Sequence, residues 1–354
     1  MKQSDGGVAA FYRKFKRKPE YMGTVLILAI IILNIAMEGG AFFTKDSMQN
    51  LFNSALPLVI LTIAQVIVLI GGNIDLSSGI TMSFVNVFAV MMPTLVPGFP
   101  IWASYITAFL LAVFVGYFNG VIVGVFRIPP MLATYGMAFI IRGINLMISD
   151  RPQGKVPTEL WKAYQGDVFG IPDPVFLLIV LILIWFFLKK RSSIKEMFAL
   201  GGNERSTYLT GISTVKTTIK SYTLSGAFVG LAGLAWTLML ASSNPINGDI
   251  KTLQAIAAAL IGGVLITGGW GTMICGILGA FFMVLVNNAT SYMFTKFIPS
   301  FIKGFSVSTY YQDFAAQLIT MLGIVLAIVA SSRTKGKVKN IMRIDESKKE
   351  AESE

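Results

Sequence analysis

From Tyr21 onward the chain alternates long apolar runs with short polar or glycine-rich breaks. The first run, Tyr21 to Met37, is close to the length of about 20 apolar residues that a bilayer-spanning helix needs. Further runs at roughly 51–72, 76–96, 101–125, 131–148, 173–188, 217–241, 252–269, 272–295 and 313–331 bring the expected number of spans to ten. A transmembrane barrel would instead show short segments of alternating character. The first run ends Asn-Ile-Ala-Met-Glu-Gly-Gly, unlike a cleavage site, and is read as an uncleaved span. The fold class is an all-α polytopic membrane protein.

Several runs are broken. Gly71-Gly72-Asn73-Ile74-Asp75-Leu76-Ser77-Ser78-Gly79 separates two of them, and Gly262-Gly263 and Gly268-Gly269 punctuate another. Pro129-Pro130 forces a non-helical stop between two more. Irregular backbone at membrane depth is tolerated only inside protein or beside a watery cavity. Spans 1–5 and 6–10 form halves of opposite orientation, as in transporters built from inverted repeats. No sequence repeat joins them, so the relation is topological.

Segment 189–216 is the one long, strongly charged stretch within residues 21–332, which are otherwise almost continuously apolar. Within it, residues 203–211 predict a short helix. Asn203 suits the N-cap, Glu204 the first turn, and Gly211 the C-terminal stop. A two-turn helix is marginal alone. Tyr208 and Ile212, four apart on one face, ask for a partner surface, so the segment reads as a docking element.

Charge placement fixes the expected orientation. The chain is 54% hydrophobic and 13% charged, against about 25% charged in soluble domains. Its net charge of +11 comes from clusters: residues 1–20, 189–220 and 333–354 hold twenty of the 29 Lys and Arg. These patches flank apolar runs, the positive-inside pattern of membrane proteins, and no nucleic-acid partner is inferred. Six spans before Lys189 and four after it put all three patches, and both termini, in the cytoplasm. The expected layout is a cytoplasmic N-terminus (1–20), a membrane domain (21–332) with a cytoplasmic coupling loop (189–216) and an external loop (149–172), and a cytoplasmic tail (333–354) of disordered composition.

Little catalytic chemistry is present. There is no His, and Cys275 stands alone in an apolar run, so no disulfide framework or cysteine metal site is expected. Neither Gly154-Lys155 nor Gly336-Lys337 is followed by Ser or Thr, so no phosphate-binding loop is expected and ATP chemistry is excluded from this chain. Carboxylates deep in the runs are nearly lacking, which counts against proton or sodium coupling on the chain itself. Asp75 with Ser77 and Ser78 reads either as a helix cap or as part of a path. Arg142 reads as a structural bridge rather than a ligand group, and Asn119, Asn287 and Asn288 as cavity lining or interhelical hydrogen bonding.

The stretch Gly201-Gly202-Asn203-Glu204-Arg205-Ser206-Thr207-Tyr208-Leu209-Thr210-Gly211-Ile212 resembles the Gly-Gly-Asn-Glu-Ala-Ala-x-x-Leu-Ser-Gly-Ile stretch of ribose-type ABC importer permeases. Four other stretches match in order: Gly72 to Gly79; Asn119-Gly120 with Ile128-Pro129-Pro130; Thr134-Tyr135-Gly136 with Arg142-Gly143; and Ala255 to Ala258 through Gly262-Gly263, Gly268-Gly269 and Asn287-Asn288. The resemblance spans about residues 45–330. It implies a multi-pass permease of the bacterial plasma (inner) membrane, importing a monosaccharide delivered by a solute-binding protein. It also implies a second permease copy, identical or diverged, and an ATPase subunit that binds ATP and Mg, with no cofactor on this chain. Gly201, Gly202, Asn203, Glu204, Arg205, Leu209 and Gly211 become the expected ATPase contact, and Asn73, Asp75, Ser77, Asn119 and Asn287 the expected path. Arg205-Ser206 and Thr252-Leu253-Gln254 depart from the family pattern. The alternatives are a nucleoside or branched-chain amino acid cargo, a stand-alone secondary transporter, and, least favoured, an intramembrane enzyme.

Overall fold

The computed structural model describes Phe15, residues 18–302, Ser308, and helical residues at 311–312, 314–319 and 321–322. Most of the basic N-terminus, much of the expected span 313–331 and the tail 333–354 lie outside the described residues.

Helix α1 (Tyr21–Glu38) runs through a 3₁₀ turn into α2 (Lys45–Ile70), followed by α3 (Ser78–Leu95), α4 (Ile101–Gly124) and α5 (Pro130–Ile148). A short helix, α6 (Thr158–Tyr164), and an antiparallel pair, β1 (Asp167–Val168) and β2 (Ile171–Pro172), lead into α7 (Asp173–Lys189). Then come α8 (Ser192–Gly202), α9 (Glu204–Leu209), α10 (Thr214–Leu240), α11 (Gly248–Ile261) and α12 (Met273–Tyr292), the last extended by a π turn and by α13 (Ile298–Phe301). Among the described residues, seven helical segments are long and apolar enough to cross a membrane: α1 to α5, α10 and α12, with α1 and α12 counted with their extensions. Helix α7 is almost wholly apolar but has 17 residues, and α11 has 14.

Helix α2 is the central pillar. Every residue from Ala55 to Ile70 is buried, so this run is enclosed on all faces rather than striped. The residues that α1 and α4 expose are hydrophobic, as suits lipid contact. Ala112, Gly116, Gly120 and Gly124 recur every four residues on α4. Their faces let α10 approach at Tyr222 and Gly226, backbone against backbone.

The structure differs from the sequence reading at α11. The span expected over 252–269, punctuated by Gly262-Gly263 and Gly268-Gly269, begins at Gly248 and stops as a helix at Ile261, at the first glycine pair. Gly263, Gly268, Gly269 and Gly271 take φ of 109°, 82°, 69° and 141°, which no helix accommodates. The loop back to α12 begins there, at the end of the molecule that carries the basic residues of α8 to α10.

A second break, absent from the sequence reading, follows α10. Ala241 takes φ of 55°, and residues 242–247 fold back along α3. Asn86 of α3 donates to the Thr237 hydroxyl and the Ser242 carbonyl, both at 3.0 Å, and accepts the Asn244 N–H at 2.6 Å. Ser83 donates to the Asn244 carbonyl at 2.6 Å. These two side chains satisfy the backbone that the break leaves open. Helix α11 then runs antiparallel to α3, and the two cross at Gly79 and Gly248. A Cβ on Gly79 would lie 2.3 Å from the Gly248 carbonyl oxygen, and one on Gly248 would lie 2.9 Å from that of Gly79.

Candidate functional site

Two parts of the molecule form the candidate site, a surface helix and a broken span, and a cavity separates them. The surface helix is α9. Asn203 is extended (φ −160°) and its Oδ1 accepts the Ser206 N–H at 2.9 Å, the N-cap expected from the sequence. Glu204 sits in the first turn, and Gly211 at φ 84° closes the far end, its N–H bonded to the Tyr208 carbonyl at 3.0 Å. Thr207 faces inward and is buried, while Arg205, Tyr208 and Leu209 face out. Leu209 is 75% exposed, an apolar tip on a polar end of the molecule.

Helix α8, which the sequence reading left undescribed, anchors α9. Ile194, Met197 and Leu200, three apart, are its buried stripe. On its outer face Glu196 accepts from Ser192 at 2.9 Å, Lys220 at 3.3 Å and Thr217 at 3.4 Å, tying α8 to α10. The Ser192 hydrogen bond first, and then the Lys220 ammonium, hold its carboxyl below the ordinary glutamate value. Arg127, in the loop before the two prolines, pairs with Glu204 and reaches the Thr214 hydroxyl at 3.4 Å. That pair joins α9 to the α4–α5 loop.

The joint between the two parts is backbone on backbone. A Cβ on Gly201 would stand 2.0 Å from the Ile70 carbonyl oxygen, 2.6 Å from the Gly269 nitrogen and 3.0 Å from that of Gly72. The Gly269 N–H donates to the same Ile70 carbonyl at 2.9 Å. The end of α8, the end of α2 and the α11–α12 loop therefore meet with no side chain between them. Gly202, the next residue, has open space where a Cβ would go.

The broken span is residues 71–77. Asp75 is buried, and its Oδ1 accepts both the N–H and the hydroxyl of Ser77, at 2.8 and 2.6 Å. This is a turn two residues long rather than a helix cap; α3 begins at Ser78. Asn119 donates to the Ser77 hydroxyl at 2.9 Å, Tyr222 to the Ile74 carbonyl at 3.0 Å, and the Leu76 N–H to Thr134 at 3.0 Å. The Gln65 carboxamide faces the Asp75 backbone, within 3.2 Å of its carbonyl and 3.3 Å of its N–H. Four helices thus brace one break. Gln65 and Tyr222 are absent from the sequence reading, although Gln65, the one carboxamide in the stretch from Leu56 to Ile70, is a readable signal.

Asn73 is half-buried and helps line a cavity of about 320 Å³, with Gly72, Arg127, Gly201, Glu204 and Thr218 around it. The cavity lies between break and surface helix, and the residues of both form its wall. Asn287 does not join this group. It is exposed on α12, while its neighbour Asn288 donates to Asn34 at 3.1 Å and Glu38 at 2.7 Å, bonding α12 to α1.

The chain is 28% identical over 306 residues to the ribose import permease protein RbsC of Haemophilus influenzae, covering 85% of this chain and 90% of that one. It is 29% identical to the D-allose transport system permease protein AlsC of Escherichia coli, over 88% and 91% of the two chains. It is 30% identical to the autoinducer 2 import system permease protein LsrC of Photorhabdus laumondii, over 70% and 74%. No solved structure matches the chain. Residues 47–329 match the family described as the permease component of branched-chain amino acid transport systems, and the chain belongs to that family.

Proposed function

We propose that this chain is the membrane permease of an ATP-driven importer of monosaccharides, working with a separate ATPase that holds ATP and Mg²⁺. A solute-binding protein delivers the sugar, and a second permease copy completes the path. Relatives named for ribose and D-allose support the cargo class. The end bearing the basic clusters is cytoplasmic by the positive-inside rule. With α7, α11 and the run that holds the helical residues 311–312, 314–319 and 321–322 added to the seven long segments, the chain makes ten spans with both termini inside. The units α2–break–α3 and α10–break–α11 run in opposite senses and cross at Gly79 and Gly248, as inverted halves would.

One observation carries the mechanism: an exposed, capped helix whose root is a backbone joint with a broken span. A partner pressing on Arg205, Tyr208 and Leu209 displaces Gly201. Because nothing compressible lies between Gly201 and Ile70, the displacement passes to the 71–77 break and the 268–269 turn. Asn73, on the cavity wall, is the first polar group to move. Asp75, Ser77 and Asn119 keep the break in register, and Asn287 is the outlying member of the path set.

The test replaces residues 204–210 by a flexible Gly/Ser linker in cells that carry the whole importer, and follows uptake of labelled D-ribose, D-allose and D-fructose. Uptake is expected to vanish while the permease still inserts in the membrane. ATP-dependent uptake that survives the replacement would overturn the reading. Accumulation of leucine or adenosine instead of any sugar would move the cargo class.

A further inference from the structure

Arg142 and Asp249 form an ion pair where the surrounding surface is apolar. Arg142 lies six residues before the end of α5 at Ile148, hence about 9 Å below its outer end at 1.5 Å per residue. A snorkelling arginine would turn outward, toward the headgroups. This one turns the other way: its guanidinium lies over the Phe139 ring, 5.5 Å from the centroid, one turn closer to the cytoplasm. There it meets Asp249 in the first turn of α11, next to the Gly79–Gly248 crossing.

The pair is nevertheless open. The Arg142 and Asp249 side chains are 38% and 47% exposed, and Tyr135 and Phe139 beside them are 54% and 52% exposed. With Leu76 and Ile80 they border a shallow crevice of about 20 Å³. Hydrocarbon against such a pair costs several kcal/mol, so intramembrane charges face water or protein. The surface that α5 and α11 share is therefore not a lipid face.

We propose that Arg142, Asp249, Tyr135 and Phe139 form a binding station for an uncharged monosaccharide on the wall of the translocation path. The inference rests on the importer reading above and adds the residues that touch the cargo. A planar guanidinium and a carboxylate side by side offer donors and acceptors to neighbouring hydroxyls. The two rings offer flat apolar faces to the C–H side of a pyranose or furanose. The pair is neutral overall, so it draws in neither anions nor cations. The crevice is too small to enclose a sugar, so the station is one wall and leaves the cargo free to move on.

The chain's single cysteine, Cys275, is buried, which suits a thiol-labelling test. Tyr135→Cys in the assembled importer, in membrane vesicles, is exposed to a charged, impermeant methanethiosulfonate. Phe114→Cys on the exposed face of α4 is the lipid-facing control. Tyr135→Cys is expected to react, to react more slowly in the presence of a transported sugar, and to outpace the control. If it reacts only with a neutral, lipid-soluble maleimide, or with neither reagent because a second copy covers it, the station does not exist.

Arg142→Lys separates a station from a strut. The cation and the ion pair remain but the planar fork is lost, so uptake should fall roughly tenfold with thermal stability unchanged. Native uptake in Arg142→Lys would reduce the pair to a strut and overturn the proposal. An importer that takes up no sugar at all would sink the cargo reading. The labelling comparison would still decide whether this wall faces water.

Discussion

Gly201→Ala is the sharpest test of the backbone joint. The added methyl would sit 2.0 Å from the Ile70 carbonyl oxygen, about 1 Å inside the closest approach that real Cβ atoms make. It would also crowd the Gly269 and Gly72 nitrogens at 2.6 and 3.0 Å. All three neighbours are backbone, so no rotamer change can relieve the contact. Overpacking of this kind costs about 1–3 kcal/mol. Moving Ile70 aside also breaks the 2.9 Å bond from the Gly269 N–H, worth about 1 kcal/mol net. The sum, about 2–4 kcal/mol, should lower the thermal unfolding midpoint of the purified permease. It should also lower sugar uptake per ATP hydrolysed in the reconstituted importer, because the joint is pried open. Gly202→Ala is the control, since the same methyl one residue later meets nothing within 4 Å. Native stability and native coupling in Gly201→Ala would refute the joint, as would equal damage from Gly202→Ala.

Three further outcomes follow from the same geometry. Asn203→Ala removes the cap on α9 and should cost about 1 kcal/mol, read as weaker co-purification of the ATPase, while Asn203→Asp should keep it. Arg127→Ala breaks a pair whose side chains are 60% and 55% exposed, so stability should change by less than about 1 kcal/mol, yet uptake per ATP should fall because the α4–α5 loop loses its tie to α9. Glu196 has a depressed carboxyl pKa, so its clamp between α8 and α10 contributes fully above the ordinary glutamate value of 4.5 and is lost as pH falls through the lower folded value. An acid titration of unfolding should therefore show native protein losing more stability than Glu196→Gln below pH 4.5, and parallel curves would remove the clamp.

The seven long spans were legible because bilayer helices are written as continuous apolar runs, and α9 because its cap, first-turn acid and stop glycine are local signals. What escaped the sequence depends on partners far away in the chain. Residues 242–247 fall between two expected spans with no signal of their own, and Asn86 and Ser83, some 160 positions earlier, are what hold them as a folded-back segment. Helix α8 was hidden because its exposed face, with Lys195 and Glu196, has the composition of a solvated loop. Its Ile194, Met197, Leu200 stripe is the signal that finds it. Glycines at 72, 201, 268 and 269 were visible as breaks, but a sequence does not say which breaks touch. Arg142 was read as a structural bridge, and its partner Asp249 could not be named without the fold.

The placement of those glycines explains why the joint is built without side chains. A contact through two long side chains would yield before it transmitted a push, because bending a χ angle about 30° off its rotamer costs only about 1 kcal/mol. A contact between backbones has no such slack, so α8 cannot shift toward α2 without moving Ile70 or Gly269. Ile70 ends the pillar that precedes the first break, and Gly269 belongs to the turn that follows α11. On the proposed function, one input at α9 reaches both broken units through this joint. Those units meet again at Gly79 and Gly248, where the approach is equally close. Two rigid contacts at opposite ends of α11 make it a lever, with Gly269 taking the load and Gly248 carrying it to α3. Asp249, beside that second contact, is then positioned to move with the lever, which would tie the ion pair with Arg142 to the stroke proposed to start at the surface helix.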